Sequence, residues 1–297
     1  MNNRRAYLMS LLIILLIVAT SFATATIMLP LFLRGTELAG SASALTPVAS
    51  SSLATEFTYS FKIPGTLAES ATASESSSPY WFLDSGGELL IANGTGATLQ
   101  ESLSAKNRWH IAYAKSNPVD TDGGAYPQNI FRLVTKAQWA NATSEASFRI
   151  SADNLSSSPN RNESNGLLLM SRYIDHDTLY YAGVRVDGTA IIKKKYKGRY
   201  YTMAQSQLFP GSYGAKEPNL LPHGQWIGLR ATTQTKRDGS VAIALALKLG
   251  DGDWKEVLTA SDAGNLDHTP PIVAPGLVGI RTDFMDVQFK DIRIAPL

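Results

Sequence analysis

The run from Leu179 to Met203, LYYAGVRVDGTAIIKKKYKGRYYTM, constrains the fold of this chain more than any other stretch. Two β-rich segments flank Asp187-Gly188 and a third follows Lys197-Gly198, so the run predicts three antiparallel strands joined by tight turns. Asp-Gly suits a two-residue type I′ turn, which needs positive φ at both central positions. With two-residue turns at both places, Val186 pairs with Thr189 and Tyr196 with Arg199. Counting outward then sets Lys194 between Tyr181 and Tyr201, and Lys195 between Tyr180 and Tyr200. Opposite side chains on adjacent strands share a face, about 4.5–5.5 Å apart at Cβ. Each face of the meander therefore carries a Tyr-Lys-Tyr row.

The remainder after Glu56 is a succession of short β-rich runs broken by Gly, Pro, Asn and Asp. Strands are expected over Phe57–Ile63, Glu88–Ala92, Trp109–Ala114, Ile130–Lys136, Ala146–Ser151, Gly166–Tyr173, Trp226–Gln234, Ser240–Leu249, Lys255–Ala260, Gly276–Thr282 and Val287–Ile294. In the Ser240 segment Val241, Ile243, Leu245, Leu247 and Leu249 form a core face, while Ala242, Ala244, Ala246 and Lys248 form the other. No stretch past residue 35 has the period of a long amphipathic helix. This pattern predicts an all-β, two-sheet antiparallel jelly-roll sandwich.

The N-terminus has a different texture. Arg4 and Arg5 precede an uncharged run from Ala6 to Leu33, and roughly 20 residues suffice for a helix to cross a bilayer. Residues 1–34 read as a transmembrane signal-anchor that leaves the rest of the chain outside the cytoplasm at the cell membrane. Ala23-Thr24-Ala25 offers the alternative of a cleaved signal peptide. Residues 35–54, rich in Ser and Ala, read as a flexible linker, and residues 55–297 as the β domain.

The formal charge of the 297-residue chain is only +2, too small for general attraction to nucleic acid, and the meander is a basic island within it. The absence of cysteine excludes disulfides, thiolate metal sites and cysteine nucleophiles. With four histidines, a His-rich metal site is not expected. Asp120-Thr121-Asp122-Gly123-Gly124 is the metal candidate, because closely spaced carboxylates in a Gly-rich turn suit oxygen-ligated Ca²⁺; a plain Asx turn is the alternative.

Three further stretches carry a family resemblance. Asn165–Tyr173 (NGLLLMSRY) looks like a sandwich strand leading into the meander. Gln225–Arg230 (QWIGLR), followed by Asp238-Gly239, is similar to a "W-x-x-L-R … D-G" hairpin; Gly276–Asp283 and Val287–Ile294 look like "G-x-x-G-x-R … V-x-F-D-x-I-x-I" closing strands. From about Thr55 onward the chain resembles the concanavalin A-like lectin/glucanase superfamily. That resemblance implies a jelly roll of two curved sheets and a function among lectins, glucanases, lyases and adhesion modules; structural Ca²⁺ is common among such lectins.

The residues separate these options. The E-x-D-x-x-E motif of laminarinase-type glucanases is missing, and the nearest carboxylate groups, Asp175 with Asp177 and Asp283 with Asp286, read as turn formers. A lyase resemblance rests on Lys195–Tyr201, with Tyr200 or Tyr201 as base and Arg185 and Lys194 as cations, but the companion Gln-x-His segment is lacking. The expected function is a membrane-anchored, extracytoplasmic carbohydrate-binding module for a polysaccharide or anionic glycan. A polysaccharide lyase or glycoside hydrolase, and a protein-binding adhesion domain, are the alternatives. The site expected for the ligand is Tyr181, Arg185, Lys194 and Tyr201, with aromatic rings for sugar faces and cations for acidic groups.

Overall fold

A computed structural model describes residues 55–297. The proposed anchor 1–34 and linker 35–54 lie outside the described residues. Among the described residues no helix is long and apolar enough to cross a membrane.

The described chain forms sixteen strands and one α-helix. In order they are β1 Phe57–Tyr59, β2 Gly65–Ala68, β3 Trp81–Ser85, β4 Glu88–Ala92, β5 Thr95–Ala97, α1 Arg108–Ser116, β6 Ile130–Thr135, β7 Ala142–Asp153 and β8 Gly166–Asp175. The meander follows as β9 Thr178–Arg185, β10 Thr189–Tyr196 and β11 Arg199–Gln207. Then come β12 Ile227–Thr235, β13 Val241–Leu249, β14 Lys255–Asp262, β15 Leu277–Asp283 and β16 Met285–Pro296. They make two antiparallel sheets: a nine-stranded one in the order β14-β13-β12-β7-β16-β5-β4-β2, with β1 also on β16, and a seven-stranded one in the order β11-β10-β9-β8-β15-β6-β3. This is the two-sheet sandwich that the strand pattern and the resemblance both imply.

Alternation within the strands supplies the core. Val241, Ile243, Leu245 and Leu247 of β13 are buried while Ala242, Ala244, Ala246 and Lys248 are only partly so. They meet Leu169, Ala182, Val184 and Ile192 of the opposite sheet in one continuous apolar cluster. The seven-stranded sheet also carries apolar groups on its outer face, where Val134, Leu168, Met170, Tyr181 and Ile191 form a second, smaller cluster.

Two expectations are corrected. Trp109–Ala114 is not a strand but lies within α1, because Asn107 caps the helix by accepting from Trp109 N at 2.8 Å and only Tyr113 of the segment is buried. The first turn of the meander is longer than counted by one residue. Ala190 pairs with Val184 rather than with Arg185, and the Val186–Gly188 loop closes with a Gly188 N to Arg185 O bond of 2.9 Å. Gly188 takes positive φ (81°) and Asp187 does not, so the turn is of the three-residue class with glycine in the left-handed position. Asp187 favours this form by accepting from Thr189 N at 3.0 Å and from Arg185 Nη2 at 2.7 Å. The second turn is as expected: Lys197 and Gly198 both have positive φ and Tyr196 pairs with Arg199.

Candidate ligand-binding site

A one-residue slip in register exchanges the two faces of a strand relative to its neighbour. Here it sets Lys194 opposite Tyr180 on β9 and Lys193 opposite Tyr181. On the other side Lys194 still faces Tyr201 and Lys195 faces Tyr200, as expected, with Met203 bulged out between the Ala204 and Thr202 pairs. The expected grouping of Tyr181, Arg185, Lys194 and Tyr201 is therefore corrected. Lys194 points into the sandwich, fully buried, and its ammonium lies 2.8 Å from Asp262, itself fully buried. Tyr201 is opposite Lys194 and so does not share the face of Tyr181. Arg185 is taken up by Asp187 and by the carbonyl of Glu163 (2.9 Å) and does not line the cavity described next.

The outer face of the seven-stranded sheet holds that cavity, of about 530 Å³, within the roughly 300–1,000 Å³ usual for small-ligand sites. Its floor comes from the sheet: Leu168 of β8, Tyr181 of β9, Ile191 and Lys193 of β10, Tyr200 of β11, and Arg281 and Asp283 of β15. Its wall comes from two loops that contribute Asp120, Asn160, Asn162, Ser164 and Asn165. The rings of Tyr181 and Tyr200 are stacked at 6.3 Å between centroids and 25° between planes. Tyr181 is buried, and its hydroxyl accepts from Arg281 Nη1 at 3.0 Å; Tyr200 is half exposed. Arg281 in turn donates from Nε to Asp283 Oδ1 at 2.8 Å.

Charge shapes two of these groups. Burial, aided by the neighbouring Arg185, pushes the Lys193 ammonium below the usual lysine range. Burial also pushes the Tyr200 phenol up, but the positive charges of Arg281 and Lys195 outweigh it and hold the phenol below its ordinary value. Lys195 itself pairs with Asp177 at 2.8 Å.

The two carboxylates expected to ligate Ca²⁺ serve the wall instead. Asp120 Oδ1 accepts from Ser158 Oγ at 2.6 Å and Asn160 Nδ2 at 2.9 Å, and its Oδ2 accepts from Asn117 Nδ2 at 3.0 Å. Asp122 Oδ1 accepts from Ser156 Oγ at 2.6 Å. These bonds tie the Asp120 loop to the Asn154–Asn165 loop. Burial raises the Asp120 carboxyl, but the bonds from Ser158, Asn117 and Asn160 hold it below its ordinary range. With hydrogen donors aimed at its oxygens, Asp120 does not fit a Ca²⁺ shell, which is built from oxygen acceptors. Among the described residues no group of three or more His, Cys, Asp or Glu side chains could hold a metal ion.

Asp286, read from sequence as a turn former, is a buried hub on β16. It accepts from Gln128 Nε2 (3.0 Å), Asn154 Nδ2 (2.9 Å) and Glu101 N (2.6 Å). Arg281 and the asparagine wall were not among the expected ligand residues. The signals that point to them are the Arg-x-Asp alternation at the end of β15 and the density of Asn and Ser over residues 154–165.

No family model matches the chain, and no curated protein does either. Among solved structures, the chain is similar to the carbohydrate-binding module CBM66 from Bacillus subtilis, with 12% identity over 72% of this chain and 94% of that one and a TM-score of 0.45. It is similar to the Bacillus licheniformis beta-glucanase with 9% identity, over 82% of this chain and 99% of that one, TM-score 0.43. The exoplasmic/lumenal domain of VIP36 in its metal-free form gives 10% identity over 78% and 91% of the two chains, TM-score 0.40. Likeness at this level concerns strand layout and carries no weight for ligand or activity.

Proposed function

We propose that this domain binds a saccharide bearing an acidic group, in the cavity on the outer face of the seven-stranded sheet, and that residues 1–34 tether it to a membrane with the domain outside the cytoplasm. The observation that carries the reading is Lys193. It lies on the cavity floor, half withdrawn from water, with no carboxylate partner among the described residues and with Arg185 opposing its charge. A ligand carboxylate or sulfate there would restore the favourable partner that burial removed. The stacked pair of Tyr181 and Tyr200 supplies an aromatic surface for a sugar ring, and Asn160, Asn162, Ser164 and Asn165 supply donors and acceptors for hydroxyl groups across from it.

The test is a glycan array probed with residues 55–297. Acidic glycans should be retained in preference to their neutral counterparts. Lys193→Gln should weaken that retention about tenfold or more, the range of a hydrogen bond to a charged group. Tyr200→Phe should bind nearly as wild type and Tyr200→Ala should not. Equal retention of acidic and neutral glycans, or indifference to Lys193→Gln, would overturn the assignment.

A second reading, a polysaccharide lyase acting in the same cavity, is favoured by one observation. The Tyr200 phenol is held below its ordinary value beside Arg281, a pairing suited to proton abstraction next to a neutralised uronate. A glycoside hydrolase fits this cavity less well. It needs a carboxyl that keeps its proton, whereas Asp120 is held ionised and Asp283 is engaged by Arg281. Release of unsaturated uronate absorbance from an array-positive glycan, abolished in Tyr200→Phe, separates the lyase from the binding module.

A further inference from the structure

The outer face of the nine-stranded sheet carries a separate set of groups that the cavity does not use. Trp226, just before β12, is overlaid by the Arg149 guanidinium at 4.7 Å and the Lys290 ammonium at 4.7 Å. Trp254 is overlaid in the same way by Arg230 at 4.2 Å and Lys248 at 4.9 Å. Gly228, between them on β12, pairs with Lys248 on one side and Ser147 on the other. A Cβ at Gly228 would come within 2.5 Å of Lys248 Cγ and 3.1 Å of Trp254 Cη2, so the missing side chain lets the lysine stem and the indole lie flat on the sheet.

Compensation of these four cations is incomplete. Arg230 pairs with Glu145 at 3.0 Å and Lys290 loosely with Asp291 at 3.5 Å. Arg149 has a neutral partner, Gln288, and Lys248 has the indole of Trp254. With two cations against each ring, Trp226 and Trp254 present a charged surface rather than an open stacking one. Such a face recognises anionic groups spread over a plane. The first described strand leads onto the same sheet: β1 pairs with β16, and Glu56 accepts from Arg293 Nε at 2.7 Å.

From these observations we infer that this face docks on the anionic phospholipid surface of a bilayer. The inference rests on the reading of residues 1–34 as an anchor. That reading leaves the Ser- and Ala-rich residues 35–54 between anchor and domain, and a random coil of such a length has an average span of about 25 Å, at roughly 5–6 Å times the square root of the residue number. The tether makes docking intramolecular, so a weak electrostatic contact suffices. Docking through the nine-stranded sheet turns the cavity, on the opposite side of the sandwich, away from the bilayer and toward the surrounding medium. Membrane-distal glycans are then the ones within its reach.

Residues 55–297, whose core is closed by their own two sheets, are sedimented with phosphatidylcholine vesicles with and without phosphatidylglycerol. Binding is expected only to the anionic vesicles, and it should vanish in 1 M NaCl, where screening acts over about 3 Å. The triple variant Arg149→Gln, Lys248→Gln, Lys290→Gln should lose about a hundredfold in partitioning, at about fivefold per cation, while melting as wild type and retaining glycans as before. An unchanged triple variant overturns the docking face. So does retention of soluble acidic polysaccharide on this face without vesicle binding. Carbonate extraction of the full chain from membranes tests the anchor separately: release into the supernatant sinks the tether and leaves the vesicle result to stand or fall alone.

Discussion

Asp262→Asn should be among the most damaging single changes in this domain. Lys194 and Asp262 are both fully withdrawn from water, with Nζ and Oδ2 2.8 Å apart. The ammonium also donates to Thr269 Oγ1 at 2.9 Å and to the carbonyls of Thr269 and Pro270 at 3.2 and 2.6 Å. The carboxylate accepts from Tyr180 Oη at 2.6 Å and from Gly264 N at 3.1 Å, and Tyr180 Oη accepts from Ile272 N at 2.9 Å. One network thus binds β9, β10 and β14 to the loop from Gly264 to Ile272. Removing one charge of a buried pair leaves the other uncompensated and costs about 3–5 kcal/mol. For a domain of this size a kilocalorie corresponds to roughly 2–4 °C, so the melting temperature should fall by about 6–20 °C. Replacing both partners, Lys194→Met with Asp262→Leu, should recover most of the loss, because desolvation of two ions is avoided. Urea unfolding of wild type, Lys194→Met, Asp262→Leu and the double variant measures the coupling, with Asp262→Asn alongside as the single loss of charge. A cost under about 1 kcal/mol for Asp262→Asn, or a double variant no better than the single one, would refute the reasoning.

Two other outcomes follow from local geometry. His223 Nε2 lies 3.1 Å from Asp153 Oδ2, and the hydrogen bond it donates to Asp153 raises the imidazole above its ordinary 6.5. Its contribution to stability is full below about pH 6.5 and is lost as pH rises through the folded value. Asp153 is pushed up by burial but brought below its ordinary 3.8 by the bonds from His223 and Asn219, so its part is present above that value and lost as pH falls through the folded one. Wild type should therefore exceed His223→Gln in melting temperature most between about pH 4 and 6.5, and a constant difference from pH 4 to 9 would count against the pair. Gly124 has φ of 95°, and a Cβ there would sit 2.1 Å from His110 O, inside α1. Gly124→Ala should destabilise by more than about 1 kcal/mol and speed amide exchange at Tyr113, whereas unchanged exchange would show that α1 does not depend on this close approach.

Much of the architecture was legible because alternation survives in the sequence. The β13 segment separates its core and outer residues as far as Leu247, with Leu249 at its end exposed rather than in the core as expected; β8 is a continuous apolar run buried on both faces, and the second meander turn follows from its Lys197-Gly198 pair. Less legible was anything decided by a single residue of loop length. Asp187-Gly188 suits both a two-residue and a three-residue turn, and the choice depends on Asp187 bonding to Arg185 and Thr189 and on Phe209 passing behind Gly188, whose added Cβ would meet Phe209 O at 2.2 Å. That contact comes from beyond the third strand and leaves no trace in a short window. The helix at Arg108–Ser116 was missed for a similar reason, since its apolar residues fit a strand equally well and the Asn107 cap is a weak signal by itself. Arg281 and the asparagine wall reach the cavity through long-range topology, β15 between β8 and β6, which no local pattern encodes.

The turn also explains why three consecutive lysines occupy β10. With the observed register, Lys193 faces the cavity, Lys194 the interior and Lys195 returns to the outer side, where it pairs with Asp177. A slip of one residue in β10 would turn both Lys193 and Lys195 inward: one would take the place of Lys194 beside Asp262, and the other that of Ile192 or Tyr196, within the apolar core, with no second carboxylate to meet it. Buried ionic groups are best attested as devices that fix register. Asp262 then selects which of three chemically identical side chains is available to a ligand, and it does so from the far sheet. Two measurements test this coupling together. If Lys194→Met with Asp262→Leu restores stability yet lowers acidic-glycan retention through Lys193, the ion pair sets the register of the site; if retention is untouched, the turn at Gly188 sets it alone.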